Sequence, residues 1–173
     1  MPIYFFDTSA LVYRYASDRP SRRVRRVTSD ARCEVYIANI TVVEMAGALA
    51  KVCRSKGHDT KKFESMDTAF LKDIANGRLS VRDITQSDMQ RARHLLRYAG
   101  VVKKRALGAS DALLSVCCLE LALEKKGVPV IFYTEDWTLY STLREINGFR
   151  AALELRCLAA SRGGVPSTTR RGK

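Results

Sequence analysis

Apolar residues along this chain form short runs that predict strands, and longer segments with helical periodicity separate these runs. The segments IYFF (residues 3–6), EVYIA (34–38) and PVIFY (129–133) are nearly continuous apolar runs, which are typical of strands buried on both faces of a parallel sheet. RLSVRDI (78–84) alternates like a half-exposed strand, and FRAALEL (149–155) is predicted to be the last strand.

Helical patterns fill most of the sequence between these strands. The clearest covers residues 40–57, where apolar residues recur every three or four positions and Gly57 provides a C-terminal stop. Further helices are predicted over residues 8–16, 60–76, 86–99, 108–127 and 136–148, and in an arginine-rich segment that opens at Pro20. Strands that alternate with helices predict an α/β protein with a mainly parallel sheet covered on both faces.

Four acidic residues stand where these predicted strands end or helices begin. Asp7 follows the first strand, and Asp136 follows the strand at 129–133. Glu44 and Asp111 lie in the first turns of their helices. The carboxyl ends of parallel strands and the N-termini of the crossover helices share one edge of a sheet, where ligands bind. The sequence therefore predicts that the four carboxylates converge.

Three of the four acids have an ordinary structural explanation as well. Asp7 and Asp136 are suitable helix N-caps, and Glu44 completes a capping box with Thr41. Asp111 differs, because it opens a strongly apolar helix in which a buried carboxylate needs a hydrogen-bond donor or a cation.

Convergence of four carboxylates would be unfavourable without a cation. At 4 Å and an effective dielectric constant near 20, each pair of like charges costs roughly 4 kcal/mol. Helix N-termini offset only about 0.3–1 kcal/mol each. A site made of oxygen ligands suits Mg²⁺ or Mn²⁺. The acids therefore indicate a site for one of these ions.

Composition adds an anionic partner and excludes several other classes of protein. Thirty Lys and Arg against 18 Asp and Glu give a net charge of +12, which favours nucleic acid. Five cysteines form no C-x-x-C pair and the two histidines are far apart, so neither a disulfide framework nor a zinc site is expected.

The sequence predicts a cytoplasmic protein without a membrane segment or signal peptide. One domain is expected over residues 1–155, followed by a basic tail (156–173) that is predicted to be disordered from about Ala160.

The segments around the four acids resemble the signature motifs of PIN-domain ribonucleases, in particular the VapC-type toxins of toxin–antitoxin systems. These segments are IYFFDTSALVYRY, ITVVEMAGAL, GASDALLSVC and FYTEDWTL, and the resemblance covers about residues 1–155. It implies a PIN-like three-layer α/β/α sandwich that cleaves RNA with Mg²⁺ or Mn²⁺. It also implies that the ion is held by Asp7, Glu44, Asp111 and Asp136, and that Thr8 orients a water molecule.

The predicted reaction is hydrolysis of a phosphodiester by a water that the metal activates, with Glu44 or Asp136 accepting its proton. Glu135 adjoins Asp136 and is an alternative for the fourth acid. The RNA backbone is predicted to contact Arg22, Arg23, Arg25, Arg26, Lys103, Lys104 and Arg105. The resemblance also implies a cognate antitoxin that covers the acidic cleft, and a homodimer.

Three other functions compete with this interpretation. One is a PIN-like RNA-binding or regulatory module without activity, which is disfavoured because all four acids are present. Another is a metal-dependent DNA nuclease, which uses the same phosphodiester chemistry. A phosphatase with Asp7 as nucleophile is disfavoured, because such sites usually carry a second aspartate where this chain has Ser9.

Overall fold

The structure is a computed structural model that describes residues 1–16 and 22–158. Within these ranges, five strands form one parallel sheet in the order β3-β2-β1-β4-β5. They are β1 (Ile3–Phe6), β2 (Glu34–Ala38), β3 (Ser80–Arg82), β4 (Val130–Thr134) and β5 (Leu153–Cys157).

Helices cover both faces of this sheet and make the predicted α/β/α sandwich. They are α1 (Thr8–Tyr15), α2 (Arg22–Ser29), α3 (Asn39–Lys56), α4 (Thr60–Ala75), α5 (Gln86–Arg97), α6 (Ala109–Glu124), α7 (Trp137–Arg144) and α8 (Asn147–Ala152). A π-helical turn, Tyr98–Val102, extends α5. Residues of α1 to α4 build the core on one face, and residues of α5 to α8 build the core on the other.

The buried strands are apolar throughout because each contributes to both cores. In β1, Phe5 packs against the core of α5 to α8, while Phe6 packs against the core of α1 to α4. Both side chains have no exposed surface. This two-sided burial explains why IYFF shows no alternation with polar residues.

The order of the strands fixes where a ligand can bind. From β1 the chain continues to β2 and β3 on one side of the sheet, and later to β4 and β5 on the other. The switch in direction therefore lies between β1 and β4, and a crevice opens at the carboxyl ends of strands on either side of such a point. Asp7 follows β1 there, and Thr134 ends β4.

The last predicted strand and the helix before it differ from the structure. Residues 149–152 were expected to begin a strand but belong to α8, and β5 starts only at Leu153. Phe149 is buried while the next two residues are exposed, which fits a helix that packs one side chain against the core and does not fit the alternation of a strand. The helix predicted over 136–148 also ends early, because Ile146 adopts an extended backbone between α7 and α8.

Other expectations concern the ends of elements and the chain termini. Gly57 ends α3 in the left-handed conformation, as predicted. All five cysteines are free. The predicted helix start at Pro20 and the predicted tail from Ala160 lie outside the described residues. No helix within the described ranges has the length and apolar character that crossing a membrane requires.

Candidate active site

Asp7 lies at the switch point and is held there by hydroxyl groups. Its side chain does not cap α1, although Asp7 occupies the N-cap position. Instead Oδ2 accepts hydrogen bonds from Ser9 Oγ at 2.5 Å and from Thr134 Oγ1 at 2.8 Å. Burial raises the pKa of Asp7, and these two hydrogen bonds offset part of the increase. The side chain of Asp7 is therefore held by hydroxyls of α1 and β4 and does not cap α1.

Glu44 lies on α3 and is not part of a capping box. The helix begins at Asn39 with Ala38 at the N-cap, so Glu44 is too far along the helix to reach back to its N-terminal amides. Its two carboxylate oxygens accept hydrogen bonds from the hydroxyls of Thr8 and Ser110 instead. These bonds join α3 to the beginnings of α1 and α6. The hydroxyl of Thr8 thus contacts Glu44.

Asp111 occupies the first turn of α6, next to the other acids. Burial raises its pKa, and the negative charges of Asp7 and Asp136 raise it further, while a backbone hydrogen bond from Gly108 partly opposes the shift. A Cβ atom built on Gly108 would lie 2.8 Å from Asp111 Oδ2, which is too close for an unstrained contact. The absence of a side chain at residue 108 therefore lets the carboxylate of Asp111 lie against the start of its helix.

Asp136 acts as an N-cap, as one of the structural explanations predicted. Its Oδ1 accepts hydrogen bonds from the amides of Thr138 at 2.6 Å and Leu139 at 3.0 Å. The amide of Asp136 donates to Thr134 Oγ1, which also contacts Asp7. Capping holds the exposed carboxylate beside the cleft, and Glu135 lies next to it.

The four predicted acids lie together in one cleft of about 540 Å³ at the carboxyl edge of the sheet. Its acidic lining residues are Asp7, Glu44, Asp111, Glu135 and Asp136. Four separate segments of the chain supply them. With five acidic side chains and one lysine in its lining, the cleft is a negative part of a strongly basic protein.

Several residues of this cleft were missed from the sequence. Ser9, Ser110 and Thr134 position the acids through their hydroxyls. Ser9 and Ser110 are short polar residues next to a candidate acid in the sequence, and this proximity could have indicated them. Nothing in the sequence of β4 indicated that Thr134 would contact Asp7. Lys51 also lines the cleft, and its spacing of two helical turns from Glu44 could have indicated this.

The predicted RNA-binding residues do not line the cleft. Arg22, Arg23, Arg25 and Arg26 lie on the exposed side of α2. In the loop before α6, Lys103 lies 5.8 Å from the ring centre of Tyr98, and Arg105 forms a 2.7 Å ion pair with Glu145. The structure thus places these cations on the surface outside the cleft, and their role with RNA stays a prediction.

The donor atoms of the cleft fit a hard divalent cation. They are carboxylate and hydroxyl oxygens, the ligands that Mg²⁺ and Mn²⁺ prefer. In the part of the chain that the structure describes, no three His, Cys, Asp or Glu side chains are already arranged to hold a metal ion. Binding a cation would therefore require the carboxylates to move towards one another, which the ion's charge would favour.

Comparison with known proteins identifies the family and the fold. A family model described as the PIN domain matches residues 4–143. A comparison with curated protein sequences gives no match.

Solved structures with low sequence identity share the fold over most of the chain. VapBC2 from Rickettsia felis, bound to a DNA fragment from its promoter, has a TM-score of 0.56 at 18% identity, covering 90% of this chain and 98% of that chain. FitAcB from Neisseria gonorrhoeae has a TM-score of 0.59 at 16% identity, covering 88% and 95%. DNA-bound VapBC from Salmonella typhimurium has a TM-score of 0.53 at 15% identity, covering 91% and 98%.

Proposed function

Because the chain belongs to the PIN-domain family, we propose that its acidic cleft is the active centre of a metal-dependent endoribonuclease, the toxin of a VapBC-type toxin–antitoxin pair. One observation carries the proposal: acids from four distant segments line a single cleft at the switch point of a parallel sheet. Ordinary helix capping accounts for only one of them, Asp136.

Asp7 and Asp111 would hold the principal Mg²⁺ or Mn²⁺ ion, and Glu44 and Asp136 would complete the set of carboxylates. When bound, the ion would neutralise charge on the phosphodiester and acidify the water that attacks it. The proton of that water would pass to Glu44 or Asp136. Asp7 is buried and Asp111 is partly buried, and burial raises the pKa of both, so a cation would relieve an unfavourable charge at each.

The hydroxyl groups of the cleft would keep these acids in place. Ser9 and Thr134 orient the carboxylate of Asp7, and Thr8 and Ser110 hold that of Glu44. Thr8 would thus act as a positioning residue for Glu44, and its role in orienting a water molecule stays a prediction. Such orientation would limit how far the carboxylates must move when the metal binds.

The proposal extends to partners. The similar structures are named VapBC2, FitAcB and VapBC. On that likeness we also propose a cognate antitoxin that covers the cleft, a homodimer, and action in the cytoplasm. A basic side chain of the antitoxin would find complementary charge among the acids of the cleft.

The test is cleavage of a labelled single-stranded RNA by the purified protein. Cleavage is expected in Mg²⁺ or Mn²⁺ and not in EDTA, and Asp111→Asn should slow it at least about 100-fold, a loss of roughly 2.7 kcal/mol of transition-state stabilisation. Glu64→Gln is the matched control, because Glu64 is an exposed acid on α4 outside the cleft. It should cleave like the wild type.

Three outcomes would contradict the proposal. Cleavage that persists in EDTA or in Asp111→Asn would place the chemistry elsewhere. Cleavage of single-stranded DNA in place of RNA would make the protein a DNA nuclease. Binding of RNA without cleavage under any metal condition would make it a catalytically inactive RNA-binding module.

A further inference from the structure

A pocket lined by cations lies between α1, α2 and α4 and is here called the basic pocket. Its volume is about 480 Å³, and its cations are Arg14 of α1, Arg25 of α2 and Lys72 of α4. Among the described residues that line it, Asp73 is the single acid. None of these residues lines the acidic cleft. The two sites therefore carry opposite charge and share no described lining residue.

Helix periodicity explains why polar side chains gather in the basic pocket. Arg25 and Ser29 lie one turn apart on α2. Ala69, Lys72 and Asp73 lie three or four residues apart on α4. Each of these helices therefore turns one side towards the pocket. The small side chain of Ala69 leaves the pocket open on the side of α4.

Arg14 is the least exposed cation of the basic pocket and is held in place by its neighbours. Its Nε donates a hydrogen bond to Asp73 Oδ2 at 2.7 Å, and its Nη1 donates one to Thr28 Oγ1 at 2.7 Å. Burial opposes ionisation of Asp73, but hydrogen bonds from Arg14 and Tyr15 prevail and lower its pKa. The carboxylate of Asp73 therefore balances the charge of Arg14. Nη2 of Arg14 makes no hydrogen bond among the described residues and is available to a ligand.

The other two cations of the basic pocket lack a counter-ion. Arg25 and Lys72 are exposed, and within the described part of the chain neither side chain forms an ion pair or a hydrogen bond. Because Asp73 balances Arg14, the pocket keeps two uncompensated positive charges. The hydroxyl of Ser29 adds a hydrogen-bond donor beside them. An anion with several oxygens would satisfy all of these groups together.

We propose that the basic pocket binds a phosphate group, either free or carried by a mononucleotide. The guanidinium group of an arginine presents a planar fork of N–H donors that matches phosphate oxygens, and a lysine adds a point charge. The volume of the pocket lies within the range of small-molecule sites, about 300–1,000 Å³. Because no residue of the acidic cleft takes part, this inference goes beyond the proposed function and does not depend on it.

Isothermal titration calorimetry with the full-length protein in EDTA tests the proposal. The ligands are inorganic phosphate and adenosine 5′-monophosphate, and EDTA removes metal ions that would draw phosphate into the acidic cleft. Saturable binding is expected. Arg25→Ala and Lys72→Ala should each weaken binding about 10-fold, because each removes a hydrogen bond between charged groups. Ala69→Leu should weaken binding as well, because it fills the pocket from an exposed position on α4.

Two matched variants control for the change in net charge. Arg54→Ala removes an exposed arginine of α3, and Lys61→Ala removes an exposed lysine of α4, both outside the basic pocket. Each should bind both ligands like the wild type. All of the substituted positions are exposed, so the variants should keep the fold, and urea unfolding checks this.

The two ligands identify the source of the phosphate group. Tighter binding of adenosine 5′-monophosphate than of inorganic phosphate would identify a nucleotide, and equal or weaker binding would identify free phosphate. The absence of saturable binding of either ligand would overturn the proposal, as would adenosine that binds as tightly as its monophosphate. Wild-type affinity in both Arg25→Ala and Ala69→Leu, or a loss as large in Arg54→Ala as in Arg25→Ala, would overturn it too.

Discussion

Thr134 donates a 2.8 Å hydrogen bond to Oδ2 of Asp7 and so joins the ends of the two strands that flank the switch point. Thr134 is fully buried, and Asp7 is only 4% exposed. The amide of Asp7 also donates to the carbonyl of Tyr133 at 2.9 Å. The position of the most buried acid in the cleft is therefore set by the pairing of β1 with β4.

Thr134→Val should therefore reduce both stability and activity. The substitution keeps the shape of the side chain but removes a donor to the buried carboxylate of Asp7 and an acceptor for the amide of Asp136. This should lower the free energy of unfolding by about 1–3 kcal/mol. Urea unfolding measures this loss, and the rate of RNA cleavage should fall with it. Thr142→Val is the matched control, because Thr142 Oγ1 is buried without a hydrogen-bond partner among the described residues. A stability loss as large in Thr142→Val would show that the Asp7 contact is not the cause.

Gly108→Ala should impair metal binding more than folding. The backbone at residue 108 has φ −71° and ψ 152°, which alanine adopts without strain, but the new Cβ would press on Asp111 Oδ2. The carboxylate must then shift, so Mn²⁺ affinity should fall. The free energy of unfolding should change by less than about 1 kcal/mol. Gly47→Ala, where nothing lies within 4 Å of the added atom, should leave Mn²⁺ affinity unchanged. Unchanged affinity in Gly108→Ala would remove this explanation of the glycine.

Asp111→Asn should stabilise the protein when metal is removed. In EDTA at neutral pH, the substitution relieves both the burial of a charge and its repulsion by Asp7 and Asp136, which raise the pKa of Asp111. Thermal unfolding in EDTA should therefore occur at a higher temperature in Asp111→Asn than in the wild type. Adding Mg²⁺ should raise the transition of the wild type and not that of the variant. A variant less stable than the wild type in EDTA would contradict the repulsion.

Arg82→Met should destabilise the fold strongly, and the loss should depend on pH. Arg82 donates hydrogen bonds to Asp88 at 3.1 Å and to Glu124 at 2.7 Å, and Asp88 is buried. Burial opposes ionisation of Asp88, but hydrogen bonds from Thr85 and Arg82 prevail and lower its pKa. Removing Arg82 from this buried pair should cost about 3–5 kcal/mol at neutral pH.

The sign of the pH dependence follows from the lowered pKa of Asp88. Its stabilising contribution is present above the ordinary carboxyl pKa and is lost as pH falls towards the lowered value. The difference in urea stability between the wild type and Arg82→Met should therefore shrink in acid. Arg105→Met, which breaks the exposed pair with Glu145, should cost less than about 1 kcal/mol at any pH. Equal losses of unfolding free energy in Arg82→Met and Arg105→Met would show that burial does not determine the strength of these ion pairs.

The sequence predicted the parallel sheet because its buried strands are short, apolar and separated by helices. It failed for residues 149–152, where FRAALEL fits a strand and a short helix equally well and only packing of Phe149 decides. It also could not show that α7 and α8 are separate helices, because the break at Ile146 carries no glycine or proline.

The four acids converge because parallel strands and their crossover helices share one edge of the sheet. Their common location could therefore be predicted without knowledge of any side-chain contact. The capping-box explanation of Glu44 was wrong, because α3 begins before Thr41. The hydroxyls of Thr8 and Ser110 donate hydrogen bonds to the carboxylate of Glu44 instead. These hydroxyls and Lys51 belong to other segments or other turns, so only the folded chain brings them to the cleft. The arginines of α2 lie outside the cleft, and their contact with RNA stays a prediction.

Mn²⁺ binding tests the central claim most directly, and electron paramagnetic resonance of free Mn²⁺ measures it without substrate. The loss of a side chain that merely orients a ligand costs about 10- to 100-fold in affinity, and the loss of a ligand should cost at least as much. We predict that Asp7→Asn and Asp111→Asn each weaken Mn²⁺ binding at least about 10-fold, while Glu64→Gln does not. Wild-type affinity in Asp111→Asn would contradict a dication site in this cleft.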